Sequence, residues 1–237
     1  MKYSTLLFDL DGTLLDFDAY EQIALENLFS EHNVPFTSEI RNTYDLINKN
    51  LWLQYEKGEI PFDQVLNSRF SEALKLHNLE IDGCEWENKY REYLADGYFL
   101  IDGALEICEK LSKTHRMIIV TNGIRNTQIK RLRMSGLYKF FSEIFDSQSI
   151  GFQKPDRRFF EHVINYIDDK ELDKLLIIGD SPNTDILGGI NMGIDTCWFN
   201  PSNKMLSGLN MIKSTYTINH LSELQEICEN LIINNKI

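Results

Sequence analysis

Three short apolar runs, each breaking off in polar residues, constrain this chain's fold more than any other feature. Leu6-Leu7-Phe8 stops at Asp9, Met117-Ile118-Ile119-Val120 stops at Thr121-Asn122-Gly123, and Leu175-Leu176-Ile177-Ile178 stops at Gly179-Asp180-Ser181. Runs of this length without polar alternation read as strands covered on both faces, the condition of a parallel sheet between helix layers. Between and after them the apolar period changes to that of helices, at Ala104-Ile107-Cys108-Leu111, Arg125 to Met134, Pro155 to Tyr166 and Asp185 to Met192. Weaker strand patterns at Glu143 to Asp146, Asp195 to Phe199 and Thr215 to Ile218 precede a closing helix from Leu221 to Leu231. Strands alternating with helices predict an α/β, doubly wound parallel sheet.

The region between the first run and Ala104 has a different character. Tyr20-Ile23-Ala24 with Leu28-Phe29, Tyr44-Ile47-Leu51-Tyr55, and Phe62-Val65-Leu66-Phe70-Ala73-Leu74 are apolar stripes at three- and four-residue spacing,. Gly58 is placed to end the second helix, Pro61 to start the third, and a fourth covers Gly83 to Tyr98,. No convincing strand interrupts these stripes. The expected organisation is an α/β core from residues 1–15 and 101–237, with residues 16–100 inserted as an all-helical module.

Composition narrows the partners. The chain has 237 residues and carries 36 acidic against 24 basic residues, a net charge of -12. Such a field opposes docking to a nucleic acid polymer or an anionic membrane, but not a small anion neutralised locally by a metal and one or two cations. Cys84, Cys108, Cys197 and Cys228 have no metal-ligand spacing and read as buried free thiols of a reducing compartment,. The first residues reach Asp9 before a signal-like segment could form, and no run approaches about 18 apolar residues,. A cytoplasmic protein, monomeric or weakly self-associating, is expected.

Ligands of an open α/β sheet bind at the carboxyl ends of its strands, where all three long runs end in polar residues. Asp9 and Asp11, at i and i+2, can face one site; carboxylates that close repel unless a cation or shared proton intervenes. Asp180, Asp185, Thr121, Asn122 and Lys154 can reach the same rim. Carboxylate and carbonyl oxygens suit Mg²⁺, with Mn²⁺ or another divalent ion as substitutes. Thr121, the backbone N–H groups of Asn122 and Gly123, and Lys154 supply donors for a phosphoryl group. Phosphoryl transfer fits this set.

Asp9-x-Asp11-Gly-Thr-Leu, Thr121-Asn-Gly, Lys154-Pro and Gly179-Asp180-Ser-x3-Asp185 together resemble the four motifs of the haloacid-dehalogenase-like (HAD) phosphohydrolase superfamily, in the family's order. The resemblance implies a Rossmann-like core and a helical cap of the first cap class. It implies that Asp9 is a nucleophile forming an aspartyl phosphate and that Asp11 protonates the leaving oxygen and then activates water. Mg²⁺ would be held by Asp9, the Asp11 carbonyl, Asp180 and Asp185, and phosphoryl oxygens by Thr121, Asn122, Gly123 and Lys154. Asp11 separates the chain from dehalogenases, which need no such acid, and from the superfamily's ion pumps, which have threonine there.

Asn48-Lys49-x-Leu51-Trp52-x2-Tyr55 in the helical module and Asp185-Ile-Leu-Gly-Gly-Ile-Asn191-x-Gly193 after the fourth motif are similar to bacterial house-cleaning pyrimidine 5'-nucleotidases. That similarity implies a pyrimidine nucleoside monophosphate as substrate, with Asn48, Lys49 and Trp52 near its base or ribose. Trp52 and Tyr55 also fit an apolar helix face as plain packing. A sugar-phosphate phosphatase or phosphomutase is the alternative within the fold, and a non-catalytic regulatory protein on the same scaffold the alternative from another class. Arg125, Lys130, Arg131 and Arg133 read as a solvated outer helix face, and the five histidines as isolated.

Overall fold

The computed structural model describes residues 2–167, 171–205 and 212–229. The chain forms two compact units, Met1–Phe17 with Tyr98–Ile237, and Asp18–Gly97. In chain order the elements are β1 (Thr5–Phe8), α1 (Phe17–Glu31), α2 (Ser38–Glu56), α3 (Phe62–Lys75), α4 (Gly83–Leu94), α5 (Ala104–Leu111), β2 (Arg116–Thr121), α6 (Arg125–Met134), β3 (Glu143–Asp146), α7 (Ser147–Ile150), α8 (Arg157–Ile167), β4 (Leu175–Gly179), α9 (Leu187–Met192), β5 (Asp195–Phe199), β6 (Tyr216–Ile218) and α10 (Leu224–Cys228).

The larger unit is a six-stranded, all-parallel sheet in the order β3-β2-β1-β4-β5-β6. The strands are buried on both faces, and their side chains divide by the period of two. Leu6, Phe8, Met117, Ile119, Leu176 and Ile178 face a layer containing α5, Leu132 of α6 and α10. Leu7, Ile118, Val120, Leu175 and Ile177 face Phe159, Phe160 and Val163 of α8 and Met192 of α9. Each fully buried side chain of this kind contributes about 1.5–3 kcal/mol. The sheet is therefore Rossmann-like and doubly wound. Its winding reverses between β1 and β4, and Phe8 is level with both Ile119 and Ile178. Asp9, Thr121 and Asp180 consequently leave the sheet at nearly one height.

Several boundaries differ from the sequence reading, for local reasons. The run from Asp185 to Met192 is divided: Pro182–Ile186 is a π-helical turn, and the α-helix starts at Leu187. The helix expected from Pro155 starts at Arg157, and the fourth helix ends at Leu94, before Gly97. Gly97 lies so close to Tyr20 that a Cβ there would come within 2.0 Å of the ring, which leaves no room for a larger residue. The closing helix begins as a 3-10 turn at Leu221–Glu223; the part expected beyond residue 229 lies outside the described residues. Cys84, expected to be buried, is exposed near the start of α4, whereas Cys108, Cys197 and Cys228 are buried.

The smaller unit is the four-helix insertion. Phe29, Phe70, Trp86, Tyr44 and Tyr90 form its aromatic centre. Beside them Arg69 donates from Nε and Nη2 to the two carboxylate oxygens of Glu87, at 2.7 and 2.9 Å, and both side chains are buried. Arg91 also donates to Glu87, and Asn48 Oδ1 accepts from Arg69 Nη1 at 3.2 Å. Removing one member of a buried pair strands the other charge, whereas replacing both by apolar residues need not. Glu87→Ala should therefore lower the unfolding free energy by about 3–5 kcal/mol, and Arg69→Met with Glu87→Leu should recover most of that. Urea titration followed by tryptophan fluorescence checks this; a loss under about 1 kcal/mol for Glu87→Ala would place the pair among weak surface bridges.

Candidate active site

All eight residues expected at the core site lie in the larger unit, seven at the carboxyl ends of β1, β2 and β4 or just beyond them, and Lys154 on the segment between α7 and α8 that follows β3. Lys154 is the hub. Its ammonium donates to Asp9 Oδ1 at 2.7 Å, to Asp185 Oδ1 at 2.6 Å and to the Val120 carbonyl at 2.8 Å, and the residue is 1% exposed. Asn122 sets the position of this hub: its side-chain amide donates to the Lys154 carbonyl and accepts from the Lys154 N–H. The Asn122 side chain thus braces lysine through both its nitrogen and its oxygen, a role the sequence reading did not give it.

The acidic residues reach the site by close backbone approaches. Gly12 has φ +80, and a Cβ there would stand 2.7 Å from Asp180 Oδ2, so only glycine allows the loop after Asp11 to lie against that carboxylate,. The π-helical turn Pro182–Ile186 turns Asp185 back onto Gly179, where Asp185 Oδ2 accepts the Ser181 N–H at 3.1 Å. Thr13 Oγ donates to Asp9 Oδ2 at 3.3 Å. Oxygens of Asp9, Asp180 and Asp185 lie within 4.8 Å of one another.

Three carboxylates thus face one ammonium, two charges short of neutrality. Burial pushes the Asp9 carboxyl well above the ordinary carboxylate range; Lys154 opposes this, while Asp185 and Asp180 add to it. Burial, with Asp185, pushes Asp180 up to about 7. Burial works against the Lys154 ammonium, but Asp185 and Asp9 outweigh it and raise its pKa above the usual lysine value. The cluster contains only hard oxygen donors, and its missing charge is that of one divalent cation. The residues fit such an ion.

Asp11 stands apart from this cluster. Its Oδ2 accepts from Gln128 Nε2 at 2.6 Å, and its Oδ1 accepts from Arg131 Nη1. Gln128 also donates to Thr121 Oγ at 3.0 Å, and the Gly123 N–H donates to the same oxygen at 3.0 Å. The expectation that α6 turns its cations to solvent is therefore corrected at Arg131, which is 2% exposed; Lys130 and Arg133 are exposed. Gln128 and Arg131 escaped the sequence reading because the count of basic residues masked their phase. At i and i+3, and on the face of buried Leu132, they are polar residues at core positions, and that is the signal that could have found them. His115, at the C-terminal side of α5, is buried as well. In the insertion, Asn48 is half-buried, Lys49 exposed, and Trp52 half-buried with its ring edge-on to Tyr55 and Phe62.

Residues 3–193 match the haloacid dehalogenase-like hydrolase family, and the chain belongs to it; it is a hydrolase. Its relatives include the HAD-hydrolase YfnB of Bacillus subtilis (strain 168), 46% identical over 95% of each chain. The pyrimidine 5'-nucleotidase PynA of Streptococcus pneumoniae is 36% identical over 98% of each chain. The pyrimidine 5'-nucleotidase YjjG of Escherichia coli (strain K12) is 29% identical over 96% of this chain and 98% of its own. A crystal structure of YfnB bound to magnesium superposes with a TM-score of 0.91, covering 97% of this chain and 100% of that one. Among the described residues no helix is long and apolar enough to cross a membrane.

The position of Asp180 has a consequence for stability without a cation. Its folded pKa, about 7, lies above the unfolded value of about 4, so the folded state binds the extra proton between them,. In chelator-treated protein this group's contribution must weaken as pH rises from about 4 to about 7. Asp180→Asn should flatten that decline, as read by chemical denaturation across the range. An unchanged slope would contradict the charge crowding described here.

Proposed function

We propose that the protein is a divalent-cation-dependent phosphomonoesterase that cleaves pyrimidine nucleoside 5'-monophosphates through a phosphorylated Asp9. The observation that carries this reading is the Asp9-Lys154-Asp185 cluster at the point where the sheet reverses, with Asp180 completing it. Asp9, Asp180 and Asp185, with the Asp11 carbonyl, would hold Mg²⁺. The ion would supply the charge that lets a phosphoryl group lie against three carboxylates.

In the first step an Asp9 oxygen attacks phosphorus. The O–P bond to Asp9 forms as the bond to the nucleoside 5' oxygen breaks, and Asp11 delivers a proton to that oxygen. In the second step Asp11 takes a proton from water, the water oxygen bonds to phosphorus, and inorganic phosphate leaves Asp9 as a carboxylate. Lys154 holds Asp9 by Oδ1, which fixes its direction before the attack,. The Thr121 hydroxyl accepts two N–H donors, so its own hydrogen is left to donate to a phosphoryl oxygen alongside the Asn122 N–H, while the Gly123 N–H is engaged in holding that hydroxyl,.

The helical insertion would act as a cap that selects the leaving group. Asn48 accepts from Arg69 through Oδ1, so its amide N–H₂ is the part left for a base carbonyl, and Trp52 offers a ring for stacking,. Pyrimidine preference is supported by the names of PynA and YjjG. A phosphomutase would need a cluster of cap cations for a second phosphate, yet Arg41, Arg69, Lys89 and Arg91 are paired with acids, which leaves the exposed Lys49, Lys57 and Lys75 on α2, its C-terminal end and α3. A panel of nucleotides, sugar phosphates and phosphoglycolate assayed with Mg²⁺ and with chelator tests the reading. Pyrimidine monophosphates should lead, with no turnover under chelation. A lead of about tenfold or more for sugar phosphates, roughly 1.4 kcal/mol, would overturn the substrate assignment.

A further inference from the structure

The side chain of Asp11 is gripped from beneath by α6. Arg131 donates to one carboxylate oxygen and Gln128 to the other, and Arg131 Nη1 also donates to Gln128 Oε1 at 3.2 Å. The Arg131 guanidinium lies 5.7 Å from the centre of the Phe17 ring. Gln128 is 1% and Arg131 2% exposed, whereas Asp11 is only half-buried. Burying a guanidinium and an amide is costly, and apolar residues of similar size would serve the core at least as well. Both polar groups converge on one carboxylate at the rim, which points to a task at that carboxylate.

We propose that Gln128 and Arg131 are positioning residues that aim Asp11 at the leaving-group oxygen, and that this aim sets how well the enzyme cleaves esters of weakly acidic alcohols. The inference rests on the reading of Asp11 as the general acid. As the P–O bond breaks, its electron pair goes to the leaving oxygen and the Asp11 proton follows, while the phosphoryl group passes to Asp9. A protonated carboxyl keeps acceptor capacity on both oxygens, so the same two donors can hold Asp11 before and after it gives up its proton. A misaimed Asp11 fails an alkoxide, which cannot leave without a proton. It scarcely affects a nitrophenolate, which can. Gln128 additionally serves Thr121, but Thr121 meets the phosphoryl group common to every substrate, so loss of that bond slows all esters alike.

The test compares kcat/KM, which reports steps through leaving-group departure, across p-nitrophenyl phosphate, phenyl phosphate and glycerol 2-phosphate. None is a nucleotide, so the outcome does not depend on base specificity. The proteins are the wild type, Gln128→Met, Arg131→Met and Arg131→Lys, the last keeping a cationic donor. The ratio between two substrates in one preparation is independent of the fraction folded, so a poorly folding Arg131→Met leaves the test intact through Gln128→Met. Both Met variants should lose about tenfold or more on the alkyl ester relative to p-nitrophenyl phosphate, a part of the 10²–10⁴-fold that a general acid contributes. Arg131→Lys should fall between them and the wild type. An equal loss on all three esters, or none, would overturn the inference and leave the proposed function standing. Should the wild type spare glycerol 2-phosphate, a pyrimidine nucleoside monophosphate serves as the alkyl ester, and a wild type that hydrolyses neither would overturn both.

Discussion

The core site depends on one ammonium held between two carboxylates. Lys154 reaches Asp9 and Asp185 from a buried position, and each element around it is arranged to permit that approach. The sheet reverses direction between β1 and β4, so the ends of those strands open toward a shared crevice. Asn122 fixes the loop that carries the lysine, the π-helical turn folds Asp185 inward, and Gly12 lets Asp180 complete the trio. Because one positive charge cannot neutralise three negative ones, the cluster retains a demand for a divalent cation and for an anion that such a cation would bring. Affinity for a phosphoryl group follows from that imbalance under the proposed reading.

Much of this was legible in the sequence because parallel sheets impose a simple pattern. Buried strands read as unbroken apolar runs, and their polar ends lie where ligands bind, so Asp9, Thr121 and Asp180 could be placed near one rim from position alone. What escaped were features set by the phase of an element. Gln128 and Arg131 belong to a helix whose many cations suggested a solvated face, and only their register with Leu132 reveals the inward turn. The break between Pro182–Ile186 and α9 also escaped, because the apolar stretch from Ile186 to Met192 is too short to reveal a shift of helical phase. Asn122 shows a third limit: the motif marks the residue but not which of its groups does the work.

Under the proposed reading, the insertion illustrates how structural and selective demands share residues. Arg69 neutralises Glu87 in the interior and, through one further nitrogen, orients Asn48. Trp52 packs against Tyr55 and Phe62 while staying partly exposed. On that reading, substitutions here would alter substrate preference and stability together, which makes the insertion a harder place than the core to read function from sequence.

The central claim is that Asp9 carries the phosphoryl group covalently. Rapid acid quench during turnover of a good phosphomonoester substrate, followed by peptide mass spectrometry, tests it directly. The account predicts the added mass of one phosphoryl group on the peptide containing Asp9, lost when Asp9 is replaced by Asn. Phosphoryl transfer to a different residue, or active turnover with no modified peptide at the earliest quench times, would contradict it.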